Sequence, residues 1–309
     1  MTTFSLAPHR IPSTSTLVGG AALAGVVALW SAFALSSRAL DGAGLTTADA
    51  AILRFVVPAV ALTPWIPRAL RRLRGERPLA LTLVLLAGIP HFLLFAWGAQ
   101  LTSAGLTGLL VPGTVPLFVT LLLFVRRRNP LPRRRLVALA AIVVGVAASA
   151  LLSGASADLG GIAVLVSAGL VWALYTVGLT SVRLDPLSVI VLISVTSALA
   201  ALALAVTGVM DSRILAGTAA GDEIVTYALI QGIGTGLLST ACYVVAVKNL
   251  GGSLASAAGA LSPVLTAIVA VPLLGEPVTA GLAVTLALIV SGVALFHLTP
   301  RGSDHGNAP

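Results

Sequence analysis

The feature that most constrains this chain is a succession of apolar stretches, each long enough to cross a bilayer and joined to the next by a short loop. Ten can be marked, at 17–37, 47–67, 79–99, 104–125, 136–152, 161–181, 187–207, 225–246, 254–274 and 278–298. About 20 apolar residues cross the hydrocarbon layer as a helix. Only helices and closed barrels satisfy their own backbone there, and these stretches are too long for barrel strands. The sequence therefore predicts an all-α polytopic membrane protein of ten transmembrane helices. Composition agrees: 58% of the residues are hydrophobic and 9% charged, against about 25% charged in soluble domains.

Charge fixes the orientation. Six arginines crowd the loop 126–135 and five lie in 68–77. With the N-terminus inside, Arg10, these two clusters, Arg183, Lys248 and Arg301 fall on the inner side, and only Arg38 and Arg213 on the outer: fifteen against two. Cytoplasmic loops retain Lys and Arg. Both termini are thus expected in the cytoplasm, and one helix more or fewer would split the clusters. The arginines are expected to meet anionic lipid headgroups. The net charge of +8 sits in short loops between apolar runs, so nucleic acid is not an expected partner. Arginine outnumbers lysine 17 to 1, a usage that suggests a GC-rich bacterial genome and a place in the inner membrane. One cysteine, Cys242, rules out an intramolecular disulfide, and no Cys/His metal pattern or cofactor motif appears.

The punctuation repeats. Pro116 is followed by Asn129-Pro130 after 13 residues and by Gly145-Val146 after 29. Pro263 is followed by Glu276-Pro277 and Gly292-Val293 at the same spacings. Trp30 and Trp172 fall in the first and sixth spans. Five helices per copy is an odd number, so the second copy enters the membrane inverted. The expected organisation is a tail (1–16), a first repeat (17–152), an inverted second repeat (153–298) and a tail (299–309). Inverted repeats characterise secondary transporters, whose site lies near the midplane between the copies.

With these features the chain resembles the EamA-like drug/metabolite transporters. The resemblance is carried by the 5+5 arrangement, by Arg54-Phe55, by Pro116 and Pro263, and by the Leu274-Gly275-Glu276 turn before Gly292-Val293. It covers residues 17–298 and implies export of amino acids, other small metabolites or toxic compounds, without selecting among them. Asn129 departs from it, standing where the family often carries Glu.

The candidate substrate residues are polar or aromatic groups near span centres: Trp30, Ser31, His91, Thr114, Trp172, Tyr175, Ser239 and Ser262. Tyr175 lies one turn beyond Trp172 on the same face, where the two rings could stack a solute or simply pack helices. His91, after Pro90, is either a substrate contact or proton switch, or a neutral imidazole bonded to a carbonyl freed by a kink. Arg54 lies roughly 10 Å inside its span, a depth that demands a partner or water. It either anchors a substrate carboxylate or a gating pair, or snorkels to the headgroups. Pro112, Pro116 and Pro263 are expected to interrupt spans four and nine, for gating or for bending. Glu276 is expected to cap the last helix, and Gly145 and Gly292 to permit close packing.

No Asp or Glu lies near the middle of a span. The leading reading is a secondary exporter of a small amphipathic metabolite, an amino acid or drug-like compound, moved by alternating access around a midplane cavity. A flippase for lipid or lipid-linked substrates is the alternative. A membrane-embedded transferase lacks the cluster of catalytic groups it would need, so no enzymatic activity is expected. The sequence leaves a homodimer open.

Overall fold

The computed structural model describes residues 14–127, 133–152, 159–250 and 261–298. The tail residues 1–13 and 299–309, the centre of the arginine loop with Asn129-Pro130, and 251–260 lie outside them. Every described element is helical. In order these are α1 (Thr14–Ala39), α2 (Thr47–Ala61), α3 (Ile66–Leu73), α4 (Pro78–Leu85), α5 (Ile89–Gln100), α6 (Ala104–Arg127), α7 (Arg133–Leu152), α8 (Leu159–Leu179) and α9 (Pro186–Val206). Then come α10 (Gly221–Tyr227), a π-helical segment (Ala228–Leu238), α11 (Ser239–Leu250), α12 (Ser262–Leu274) and α13 (Ala280–Leu298).

Among the described residues six helical stretches are long and apolar enough to span a bilayer, and α2 with the helix after it forms a seventh, bent by 62°. Helix α12 and the apolar part of α13 are shorter. Helix α7 opens on three arginines. Large apolar side chains such as Leu79, Leu199, Val206, Leu229 and Ile268 face outward, as a lipid-facing surface requires.

The breaks differ from expectation. Pro112 and Pro116 do not interrupt span four, because α6 runs through both as one helix. Membrane helices tolerate proline where neighbours and hydroxyls re-satisfy the backbone, and the Thr114 hydroxyl donates to the carbonyls of Leu110 and Val111 in that turn. Pro263 lies in the first turn of α12, where its missing N–H costs nothing. Among the described residues the second span bends between α2 and α3, and the third and eighth are also irregular. Between α4 and α5 the chain turns at 86–88, and Pro90 opens α5 rather than bending it. The freed N–H of Ile89 donates to Ser197 Oγ of α9 at 3.1 Å. In the eighth span the hydrogen bonding widens to the π form over Ala228–Leu238, a device that often marks function.

Helix α1 packs on α11 and α12, while α8 packs on α4, α5 and α6. Helix α2 lies against α9 and α7 against α13. Small residues permit the last contact, as expected. A Cβ at Gly145 would strike Ile289, and one at Gly292 would come 2.8 Å from the Ala138 carbonyl oxygen.

Two carboxylates tie loops together at opposite ends of the bundle. In the first turn of α2, Asp49 completes a capping box with Thr46. It also accepts hydrogen bonds from the Ser212 hydroxyl and from the N–H groups of Arg213 and Ile214, after α9. At the start of α9, Asp185 caps with Ser188 and pairs with Arg72 (2.7 Å) and Arg68 (3.8 Å), after α2. Partial burial raises the Asp185 carboxyl, but the Ser188 hydroxyl and N–H, then Arg72 and Arg68, outweigh it and hold the group below its ordinary 3.8.

Two predictions follow from this packing. Gly292→Val should lower the melting temperature clearly, since overpacking against backbone costs about 1–3 kcal/mol; Gly20→Ala, with nothing within 4 Å of its Cβ position, should not. A depressed carboxyl contributes stability that is complete above its unfolded value and is lost as pH falls through the folded one. Melting temperature should therefore fall below about pH 4, and Asp185→Asn should flatten that part of the profile.

Candidate substrate site

Two polar groupings lie within the bundle. The first is aromatic. His91 of α5 faces Trp172 of α8 with ring centroids 4.7 Å apart, and Trp172 meets Tyr175 edge-on at 5.1 Å. Phe95 stands 5.9 Å from His91. The helical spacing that put Trp172 and Tyr175 on one face is realised as a direct ring contact. Trp30 of α1 pairs instead with Tyr243 of α11 at 5.8 Å, and Tyr243 lies within electrostatic reach of the Tyr175 phenol. His91 is only 4% exposed, and its Nε2 has no hydrogen-bond partner among the described residues. The alternative of an imidazole quietly bonded to a freed carbonyl through Nε2 is thus not what is seen. A buried, unmatched ring nitrogen costs free energy.

The second grouping surrounds Arg54. Its guanidinium lies 4.2 Å from the Phe33 ring centroid, 5.7 Å from Phe55 and 5.8 Å from Phe92, and donates from Nη1 to Gln231 Oε1 at 3.1 Å. Gln231, fully buried in the π segment, donates in turn to Ser36 Oγ (2.7 Å) and Ser37 Oγ (3.4 Å). Arg54 therefore neither snorkels to the headgroups nor pairs with Asp49, which is occupied by the 212–214 loop. It points into the bundle, where aromatic faces and one amide oxygen hold its charge. Phe33 stacks on Phe95 at 4.3 Å, so the two groupings form one continuous wall.

The remaining candidates are internally satisfied. Ser31 Oγ donates to the Val27 and Ser262 carbonyls and lies 3.3 Å from Ser262 Oγ, fastening α1 to α12. Thr114 is buried against Gly169, where a Cβ would overlap its hydroxyl. Ser239 donates to Thr235 O of its own helix. These four serine and threonine hydroxyls serve packing here. Pro112 and Pro263 share a small apolar cleft of about 10 Å³ with Gly113 and Ile289.

Glu276 requires a correction. It does not cap the last helix, because 275–279 is not helical, Gly275 being left-handed, and α13 starts at Ala280. Thr279 takes that role, accepting the Leu282 N–H at 3.1 Å. Glu276 instead pairs with Arg38 at the end of α1 (3.1 Å) and accepts the Ala104 N–H opening α6 (2.7 Å). A cavity of about 510 Å³ beside this pair is lined by Arg38, Gly42, Tyr227, Leu274 and Glu276; it lies at the helix ends, away from the aromatic wall.

Sequence reading missed Gln231, Phe33, Phe92 and Arg38. Gln231 carried a usable signal, a lone amide inside an apolar run. The aromatic partners carried none, since phenylalanine in a membrane helix is ordinary. Leaving a buried cation without its acceptor costs more than removing both partners. Gln231→Leu should therefore lower the melting temperature more than the Arg54→Met/Gln231→Leu double variant does; equal losses would deny the pairing.

Residues 159–298 match the sequence model of the EamA-like transporter family. Fifteen solved chains are similar to this one. One, a crystal structure of a protein, covers 92% of this chain and 95% of its own with a TM-score of 0.60 and 18% identity, a likeness of fold alone. No curated protein matches the chain.

Proposed function

We propose that this chain, an EamA-like multi-pass membrane transport protein, is a ten-helix secondary transporter built from a 5+5 inverted repeat. On this reading it moves a small amphipathic metabolite, an amino acid or drug-like compound, by alternating access. The observation that carries the site is the His91–Trp172–Tyr175 contact, with the unpartnered His91 Nε2 in it and Arg54 within electrostatic reach. Rings offer a stacking surface, the phenol and indole are hydrogen-bond groups, and a fixed cation beside them disfavours a solute of net positive charge.

The packing supports the repeat. Exchanging each span with the one five places on maps α1 against α11 and α12 onto α8 against the third span and α6. It maps the π segment on α2 onto α4 on α9. The pairs α2–α9 and α7–α13 map onto themselves. The carboxylates obey the same exchange: Asp49 holds the loop after α9, and Asp185 pairs with α3, the segment after α2. Trp30–Tyr243 and Trp172–His91 join the first to the eighth span and the sixth to the third. An inverted copy of one packing scheme supplies the two mirror-related states that alternating access needs.

The positive-inside count supports cytoplasmic termini in a bacterial inner membrane, with the arginine loops against anionic headgroups. Export as the direction rests on the family resemblance.

In proteoliposomes loaded with labelled amino acids and aromatic metabolites, one solute should show saturable flux. Trp172→Ala and His91→Ala should each reduce it by about tenfold, as loss of roughly 1.4 kcal/mol of binding does, with unchanged melting temperature. Normal flux in both variants would remove the site. No flux across the panel from folded protein would favour a lipid substrate.

A further inference from the structure

The cross-chain carboxylate contacts can be sorted by end. Those that obey the repeat come in matched pairs. Asp49 and Asp185 form one. The second pair is Glu223 and Glu76. Glu223, in the first turn of α10, accepts the Gly44 N–H from the loop before α2 at 2.8 Å. Glu76, just before α4, accepts the Arg183 N–H from the loop before α9 at 2.7 Å. Each joins the start of a third-position span in one copy to the loop after the first-position span of the other.

Glu276 is the fifth carboxylate and makes a third kind of contact, with no match among the described residues. The 13-residue spacing from Pro263 and Pro116 equates it with Asn129, a neutral amide. Glu276 binds three segments at once: its own turn after α12, Arg38 ending α1, and the Ala104 N–H opening α6. Directly beneath, Leu35 of α1 packs with Ala104 and Ala270 and is 6% exposed. Tyr227, on the far wall of the adjoining cavity, donates to the Ser36 carbonyl at 3.1 Å.

From this we propose that the Glu276–Arg38 pair, with the Ala104 N–H, is a latch at the outer end. It holds the outer end of the transporter shut and biases its resting population toward the outer-closed state. The inference rests on the transporter reading and orientation above, and it supplies what a symmetric repeat cannot, a preferred state. The Glu223 and Glu76 contacts are alike at the two ends, whereas Glu276 adds at the outer end an ion pair that the Asp49 contacts there do not include. Loosening it therefore favours opening of that end. Opening the outer end must separate α1 and α6 from the turn after α12, and Leu35 is the first buried residue below to be uncovered.

The test uses a single-cysteine reporter, Leu35→Cys in a Cys242→Ser background, in proteoliposomes with the outer end exposed to a membrane-impermeant maleimide. Labelling reads the state of that end and needs no substrate, so it is independent of whether any solute is found to move. Glu276→Gln and Arg38→Gln should each speed labelling by about fivefold, the scale of a partly exposed ion pair, and the double variant should be no faster than the faster single one. Trp172→Ala should leave labelling unchanged while lowering flux. If the single variants unfold, the milder Glu276→Asp, which draws the carboxylate back from Arg38 and the Ala104 N–H, should still speed labelling. Unchanged labelling in folded single variants, or fully additive effects in the double, would overturn the latch.

Discussion

A membrane interior offers a charged side chain nothing but other side chains, and Arg54 sets the terms for the centre of this protein. Its guanidinium has no carboxylate partner among the described residues. Three phenylalanine faces and the Gln231 amide oxygen surround it instead. That solution fixes much else. The phenylalanines come from α1, α2 and α5, so those helices must converge. Gln231 must be fully buried, so its amide needs Ser36 and Ser37. The π segment that carries Gln231 is where the eighth span departs from regular α geometry. A cation neutralised by rings rather than by an acid keeps its long-range field, and that field reaches His91 and the space around it.

Much of the fold was legible because lipid leaves few choices. Each marked apolar stretch is mainly helical over its described residues, and the Gly145 and Gly292 positions do sit at a close helix crossing. The face shared by Trp172 and Tyr175 followed from helical spacing alone. What failed was local. Proline was read as a break in span four, yet neighbouring hydroxyls and helices let α6 continue. Of the irregularities seen, the turn at 86–88 rests on tertiary help, Ser197 capping Ile89, which no local pattern announces. Glu276 beside Pro277 looked like a helix start, but the helix begins at Ala280 and the carboxylate reaches across to Arg38. Long-range partners of this kind are invisible to spacing.

The divided spans bear on mechanism. The third and eighth both contribute to the polar wall: His91 follows the break in one, and Gln231 lies within the altered segment of the other. Backbone irregularity inside a membrane survives only where protein or water satisfies it. Placing it beside the aromatic wall lets one helical half shift against its neighbour without dismantling a full ladder of hydrogen bonds. Helices α7 and α13, locked through small residues, make no such concession and suit a fixed frame.

The end contacts complete that division of labour. Backbone N–H groups in the loops are held by side-chain carboxylates from the opposite half, so each closed end is made of bonds that can be exchanged for water at modest cost. Apolar packing alone would give no comparable choice, since helix–helix contact in lipid gains little from excluding the solvent. The proposed alternation needs its two end states close in free energy, so that a bound solute can tip the balance, and the like Glu223 and Glu76 contacts at the two ends suit that need. In such a nearly balanced system one ion pair matters: a difference of about 1 kcal/mol already shifts the populations severalfold.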